Sequence, residues 1–156
     1  PEHVLKNISI SSTKIRKALL SGDINTAAAC LGYDYFFSGL VVEGKKLGRT
    51  IGFPTANLQV TDQDKLIPAH GVYAVQVVME GDDKIYGGMM NIGTRPTING
   101  KERVIEVNIF DLEKDLYGKT LKVIFKKWLR NEEKFNNLDE LKMQIGRDKA
   151  DALIAL

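Results

Sequence analysis

The sequence predicts a mainly β domain, an antiparallel barrel or sandwich with the closed barrel favoured, held between a short helical lead-in and a closing helix. Three observations predict it. From Tyr35 onward the apolar period shifts from helical to strand-like, the runs are short and divided by turn residues, and no helical stretch intervenes before the tail. Consecutive strands without crossover helices pair antiparallel, and closure removes the exposed edges that an open sheet leaves.

At the start, Ser11 and Ser12 suit an N-cap, Ile15, Ala18 and Leu19 recur at helical spacing, and Gly22 suits the stop. A second helix runs from Asp23 through Ala27, Ala28 and Leu31 to Gly32, its alanines favouring helix by intrinsic propensity. Phe37 to Val42 reads as the first strand. Val72 to Met79 is longer and rich in β-branched residues, closes on Glu80-Gly81-Asp82-Asp83, and is answered by Ile85 to Ile92 as a hairpin partner. Val104 to Phe110 alternates, with Ile105, Val107 and Ile109 on one face and Glu106 and Asn108 on the other, whereas Leu121 to Leu129 alternates less cleanly. Asn136 or Asn137 caps the closing helix, whose stripe of Leu138, Leu141, Ile145 and Ala152 requires a packing partner, with Gly146 a weak point inside it.

Composition narrows the function. The 156 residues carry 22 Lys and Arg against 20 Asp and Glu, a net charge of +2 that gives no bulk attraction for nucleic acid. Lys126, Lys127 and Arg130 form one local basic cluster, which reads equally as a solvated strand end. A domain of this length buries roughly 70% of its unfolded surface and needs no covalent staple. Cys30 is the single cysteine, and with only His3 and His70 beside it no paired zinc spacing exists. Oxygen-ligand cation chemistry stays open. No apolar run approaches the roughly 20 residues of a bilayer span, which makes a cytoplasmic address the default. The chain opens on Pro1 rather than Met, consistent with a piece of something longer.

The residues with chemical potential cluster first in Gly44-Lys45-Lys46-Leu47-Gly48-Arg49-Thr50-Ile51-Gly52-Phe53-Pro54-Thr55-Ala56-Asn57. Three glycines at a spacing of four let backbone N–H groups converge on an anion, with Lys45 and Arg49 adding charge, although a solvated hairpin loop has the same composition. Gly39, Gly44 and Lys45 imitate the start of a mononucleotide P-loop. Lys46 stands where its magnesium-binding hydroxyl belongs and no helix follows, so that motif is excluded. Pro54 stiffens the backbone where Thr55 and Asn57 sit two apart, offering a hydroxyl and an amide oxygen of the kind magnesium accepts alongside phosphate oxygens; a capped turn uses the same residues. Glu106 stands mid-strand, a solvated carboxylate or a placed one. Asn91 to Pro96 reads as a loop leaving a strand, either a ligand wall or a turn. Trp128, Leu129, Arg130 and Phe135 suit stacking on a planar ligand or packing beneath the last helix, and His70 suits a turn.

Six stretches, Gly48 to Asn57, Gly71 to Val75, Asn91 to Thr97, Ile105-Glu106-Val107, Asp115 to Gly118 and Leu129 to Glu132, together resemble the riboflavin kinase (flavokinase) family in their order. Ile10 to Arg16 also looks like the terminal signature of the FMN adenylyltransferase domain that precedes the kinase in bacterial bifunctional FAD synthetases. The resemblance implies a six-stranded antiparallel Greek-key barrel with a C-terminal helix, residues 1–33 as a helical remnant or linker of the preceding adenylyltransferase domain, and residues 34–156 as the kinase. It implies phosphorylation of the ribityl 5′-hydroxyl by ATP, giving FMN and ADP; the fragment is expected to be monomeric, to bind neither nucleic acid nor membrane, and to make no FAD itself.

By the same resemblance Glu106 is the catalytic carboxylate, and Thr55 and Asn57 hold Mg²⁺ on the ATP phosphates. Gly44, Lys45, Gly48, Arg49, Thr50, Gly52, Pro54 and Tyr117 bind ATP, and Arg95, Trp128 and Arg130 lie near riboflavin. Asn108 departs from the family, which often shows His there. Two other readings compete: a flavin- or nucleotide-binding barrel without turnover, against which the Glu106, Thr55 and Asn57 set speaks, and an RNA-binding barrel, which the near-neutral charge and single tryptophan disfavour.

Overall fold

The computed structural model describes residues 12–42, 55–112 and 115–156. Helix α1 covers residues 12–20, and α2 (Ile24–Leu31) follows, with the Asp23 side chain accepting the Thr26 N–H at its start and left-handed Gly32 (φ +84°) at its end. Six strands come next: β1 (Phe36–Val42), β2 (Ala56–Gln59), β3 (Gly71–Met79), β4 (Ile85–Thr97), β5 (Gly100–Ile109) and β6 (Thr120–Arg130). Helix α3 (Leu138–Ala155) closes the chain. All strand pairs are antiparallel and the sheet closes in the order β1-β2-β5-β4-β3-β6. Within it, β6-β3-β4-β5 is the Greek-key order, a fourth strand returning beside the first of three hairpin-connected ones.

Several boundaries differ from the periodicity reading. Strand β2 has four residues, too few for alternation to register, and is held by pairing with β1 and β5. The stretch from Asn91 to Pro96 is strand, because β4 and β5 stay paired down to Thr97 opposite Gly100; Pro96, which lacks an N–H, is tolerated near the hairpin tip. The uneven alternation of β6 has a cause in two register shifts against β3, between Val72 and Tyr73 and between Ala74 and Val75.

Alternation sorts side chains to two sides of the barrel wall. Inward, Phe37, Tyr73 and Phe125 meet edge to face, with Phe125 5.2 Å from Phe37 and 5.1 Å from Tyr73, among buried Val75, Val77, Met90, Ile92, Val107 and Val123. Ala18, Leu19, Ile24 and Ala27 belong to this same core, so α1 and α2 plug one end of the barrel. The Ala69 N–H donates to the Leu19 carbonyl at 2.9 Å, and the Tyr73 hydroxyl donates to the Ala69 carbonyl at 2.5 Å. Leu19→Ala should therefore destabilise the whole barrel by about 2–5 kcal/mol, read as one cooperative shift in a urea melt. A melt in which only a minor helical transition moves would show that the plug folds apart from the barrel.

Outward, Ala74, Met89 and Phe110 form a second cluster with Ala152 of α3. Ile145 and Ala152 of the stripe read from sequence pack here, joined by Ala155 and by buried Asp148, whereas Leu138 at the start of the stripe stays 49% exposed. A charged residue occupies the middle of that face because Arg130 meets it: Nε and one terminal nitrogen of Arg130 each donate to the Asp148 carboxylate at 2.8 Å, and the Gln144 amide adds a bond at 3.0 Å.

Candidate functional site

Strand register assembles the site. Asn57 of β2 lies opposite Val42 on one side and Glu106 of β5 on the other; Glu106 lies opposite Asn91 of β4, Asn91 opposite Val72 of β3, and Val72 opposite Arg130 of β6. Directly opposed residues share a face, so Asn57, Glu106 and Asn91 present neighbouring side chains with Cβ atoms roughly 4.5–5.5 Å apart. That face is the outside of the barrel, since Leu58, Ile105, Val107, Met90 and Ile92, which flank the three in sequence, all fill the core. Register thereby brings Glu106 beside Asn57 and Asn91, residues far from it along the chain. Thr55 lies immediately before β2, half-buried, two positions from Asn57.

Glu106 is half-buried, and loss of water pushes its carboxyl above the ordinary carboxylate range; the positive charge of Arg95 opposes this more weakly. Arg95 itself is paired with Glu102, its partner across the β4–β5 hairpin, through Nε at 2.8 Å and a second, shorter contact. Asn57 and Arg95 also line a cavity of about 360 Å³ whose wall includes Gln59, Lys65, Glu102 and Arg103. Both charge signs occur in that wall, with oxygen acceptors beside Asn57. A hydroxyl from Thr55 and an amide oxygen from Asn57 are the hard donors Mg²⁺ takes, and no side-chain hydrogen bond among the described residues occupies the Asn57 amide, so the donor set fits that ion. Among the described residues no cluster of His, Cys, Asp or Glu offers an alternative metal centre.

The remaining sequence-predicted residues fall into three groups. Gly44, Lys45, Gly48, Arg49, Thr50, Gly52 and Pro54 lie outside the described residues. Tyr117 is 62% exposed in a turn whose Gly118 N–H donates to the Val41 carbonyl at 3.0 Å, which sets it beside the end of β1, next to the Val42–Asn57 pair. Trp128 and Arg130 lie on opposite sides of β6. Trp128 packs against the core and against Gly22 and Gly71, where a Cβ on Gly71 (φ +153°) would collide with the indole and come within 2.7 Å of the Arg130 carbonyl. Arg130 is spent on Asp148, on the Asn131 carbonyl at 3.0 Å and on the Phe135 ring, 5.8 Å from its guanidinium carbon. Lys126 of the basic cluster is likewise paired, with Asp34 at 2.5 Å. Asn108 is buried opposite Met89.

Two residues on the Glu106 face, Asn91 and Glu132, fall inside stretches noted from the sequence but were given no role of their own there. Asn91 directly flanks Glu106, and its amide oxygen is buried without a hydrogen-bond partner. The Glu132 carboxylate lies over Gly93, two positions beyond Asn91, in the space a Cβ would fill. Glycine at 93 was visible; what occupies the space above it was not.

Comparison with known proteins bears on this arrangement. A family model described as riboflavin kinase (flavokinase) matches residues 31–156. A bifunctional riboflavin kinase/FMN adenylyltransferase of Escherichia coli K12 is 47% identical over 145 residues, covering 93% of this chain and 45% of the relative. Its Bacillus subtilis counterpart is 44% identical over 147 residues, covering 92% and 46%. The chain thus spans less than half the length of these curated relatives. Among solved structures, a Streptococcus pneumoniae chain described as a macrolide-efflux protein matches with a TM-score of 0.83 at 40% identity, over 89% of this chain and 45% of that one. A riboflavin kinase from Trypanosoma brucei matches with a TM-score of 0.51 over 75% of this chain and 76% of that one; at 24% identity this likeness concerns the fold alone.

Proposed function

This chain belongs to the riboflavin kinase family, and from that membership we propose that it transfers the γ-phosphoryl group of ATP to the ribityl 5′-hydroxyl of riboflavin, yielding FMN and ADP. The observation that carries the reading is the cross-strand pair of Asn57 and Glu106, a phosphate-side ligand and a proton acceptor held side by side by strand register. Thr55 and Asn57 would hold Mg²⁺, which would supply neutralising charge to the triphosphate. Glu106 accepts a hydrogen bond from the 5′-hydroxyl, fixes its oxygen in line with the γ-phosphorus, and takes the proton as the new P–O bond forms and the bond to the ADP oxygen breaks. Phosphoryl transfer proceeds through a loose transition state, so this positioning outweighs any need for a strong base. Gly44, Lys45, Gly48, Arg49, Thr50, Gly52, Pro54 and Tyr117 contribute to the nucleotide side. Arg95 tunes Glu106, while Trp128 and Arg130 support the flavin side by packing.

Residues 1–33 then continue from an adenylyltransferase domain of the kind the longer relatives are named for. No helix among the described residues is long and apolar enough to cross a membrane, and we assign the enzyme to the cytoplasm. The test is incubation with riboflavin, ATP and MgCl₂, followed by chromatography. FMN should form, and should stop forming on chelation; bound flavin without FMN would instead favour a binding module.

Titration of Glu106 gives a sharper check. Activity requires the carboxylate, so it should rise with pH through a midpoint above the ordinary glutamate value, in the direction burial sets. Arg95→Met removes the charge that holds that midpoint down and leaves Glu102 unneutralised. The acidic limb of kcat/KM should therefore move to higher pH in the variant. An unmoved limb would detach Glu106 from the titration.

A further inference from the structure

Acceptors without donors gather on one side of Glu106. Asn57 flanks it through β2, toward the cavity and the cations Lys65 and Arg103. Asn91 flanks it through β4, and there the chemistry changes. The Asn91 amide oxygen is buried with no hydrogen bond, and a buried acceptor left unmade costs about 1–3 kcal/mol. Two positions along the same face, the Glu132 carboxylate lies over Gly93, diagonal to Glu106, and no donor among the described residues engages it. Arg95, next on that face, is committed to Glu102.

A carboxylate accepts and cannot donate, and with Glu106 it makes this side repel a triphosphate. A polyol suits it, because each hydroxyl donates one hydrogen bond and can also accept, whichever way the Asn91 amide is turned. Gly93 is part of the device: any side chain there would displace Glu132 from the face. Resting on the riboflavin kinase reading, we propose that Asn91 and Glu132 are specificity-determining residues that read the secondary hydroxyls of the ribityl chain. The two substrates then approach Glu106 from opposite sides, phosphates over Asn57 and polyol over Asn91. Hydrogen bonds made along the chain fix the terminal hydroxyl against Glu106, so discrimination appears in kcat/KM rather than in binding of ATP.

The test compares riboflavin with its 10-(5-hydroxypentyl) analogue, which keeps the primary alcohol and lacks the three secondary ones. The wild-type protein should prefer riboflavin, and Asn91→Ala and Glu132→Ala should each lower kcat/KM for riboflavin roughly 10- to 100-fold while changing the analogue reaction less than about 3-fold. Glu132→Gln, which keeps an acceptor oxygen, should restore part of the loss. Equal losses on both substrates would make the residues merely structural and overturn the inference. So would a wild-type protein indifferent to the secondary hydroxyls, with the kinase reading left standing. If the wild-type protein phosphorylates neither compound, the kinase reading fails first and the inference with it. Should Asn91→Ala unfold, by circular dichroism, Asn91→Ser carries the same comparison.

Discussion

Glu106→Gln is expected to lower kcat by roughly 10²–10⁴-fold, about 3–5 kcal/mol of barrier, with nucleotide affinity by calorimetry nearly unchanged. The amide matches the carboxylate in size and keeps one acceptor oxygen, so the hydroxyl is still held; what disappears is a group able to take its proton. Stability should move the other way. Burial raises the Glu106 carboxyl above its unfolded value, so the folded state favours the neutral form. The stability associated with that neutral form is fully present below the unfolded glutamate value and is lost as pH rises through the folded one. At neutral pH the wild-type protein therefore carries a half-buried charge that the glutamine variant does not. Glu106→Gln should accordingly melt slightly higher at pH 7, with the advantage shrinking under acid. A less active yet more stable variant is the signature of a residue kept for chemistry. Unchanged turnover would remove Glu106 from the mechanism, whatever the melting curve does.

The barrel was legible in the sequence because alternation and frequent turns are local signals. Strand β2 was not, because Ala56-Asn57-Leu58-Gln59 has neither the length nor the β-branched residues that mark a strand, and only its neighbours make it one. That limit reaches the site. Thr55, Asn57 and Glu106 could be nominated through motifs, yet the adjacency of Asn57 and Glu106 is a property of register, which no motif contains. Asn91 acquires meaning only from the same register, and Glu132 only from the missing Cβ of Gly93. Asp148 was not singled out by the sequence, for a different reason. A charged residue on a helix reads as solvent-facing until its counterion, 18 residues earlier on another element, is seen to be waiting.

That counterion makes Asp148 the second position of large effect. Its side chain is 4% exposed and the Arg130 side chain 18%, so the pair is shielded from water and from salt. Asp148→Ala leaves the Arg130 guanidinium beneath α3 with its chief partner gone, and breaking a buried pair from one side costs about 3–5 kcal/mol. The loss should appear in urea unfolding, and because Arg130 also fastens the Asn131 carbonyl and the Phe135 ring, the start of the β6–α3 connection should loosen with it. Hydrogen exchange at residues 131–137 reads that directly. Arg130→Met with Asp148→Leu removes both charges and their desolvation together, and should recover most of the stability. If the pair serves only to hold α3, the double variant should also keep its activity. If the pair in addition holds Glu132 over Gly93, stability should return while kcat/KM for riboflavin stays depressed. Asp148→Ala matching the wild-type melt would mean that water reaches Arg130 freely and that α3 is held by Ile145, Ala152 and Ala155 alone.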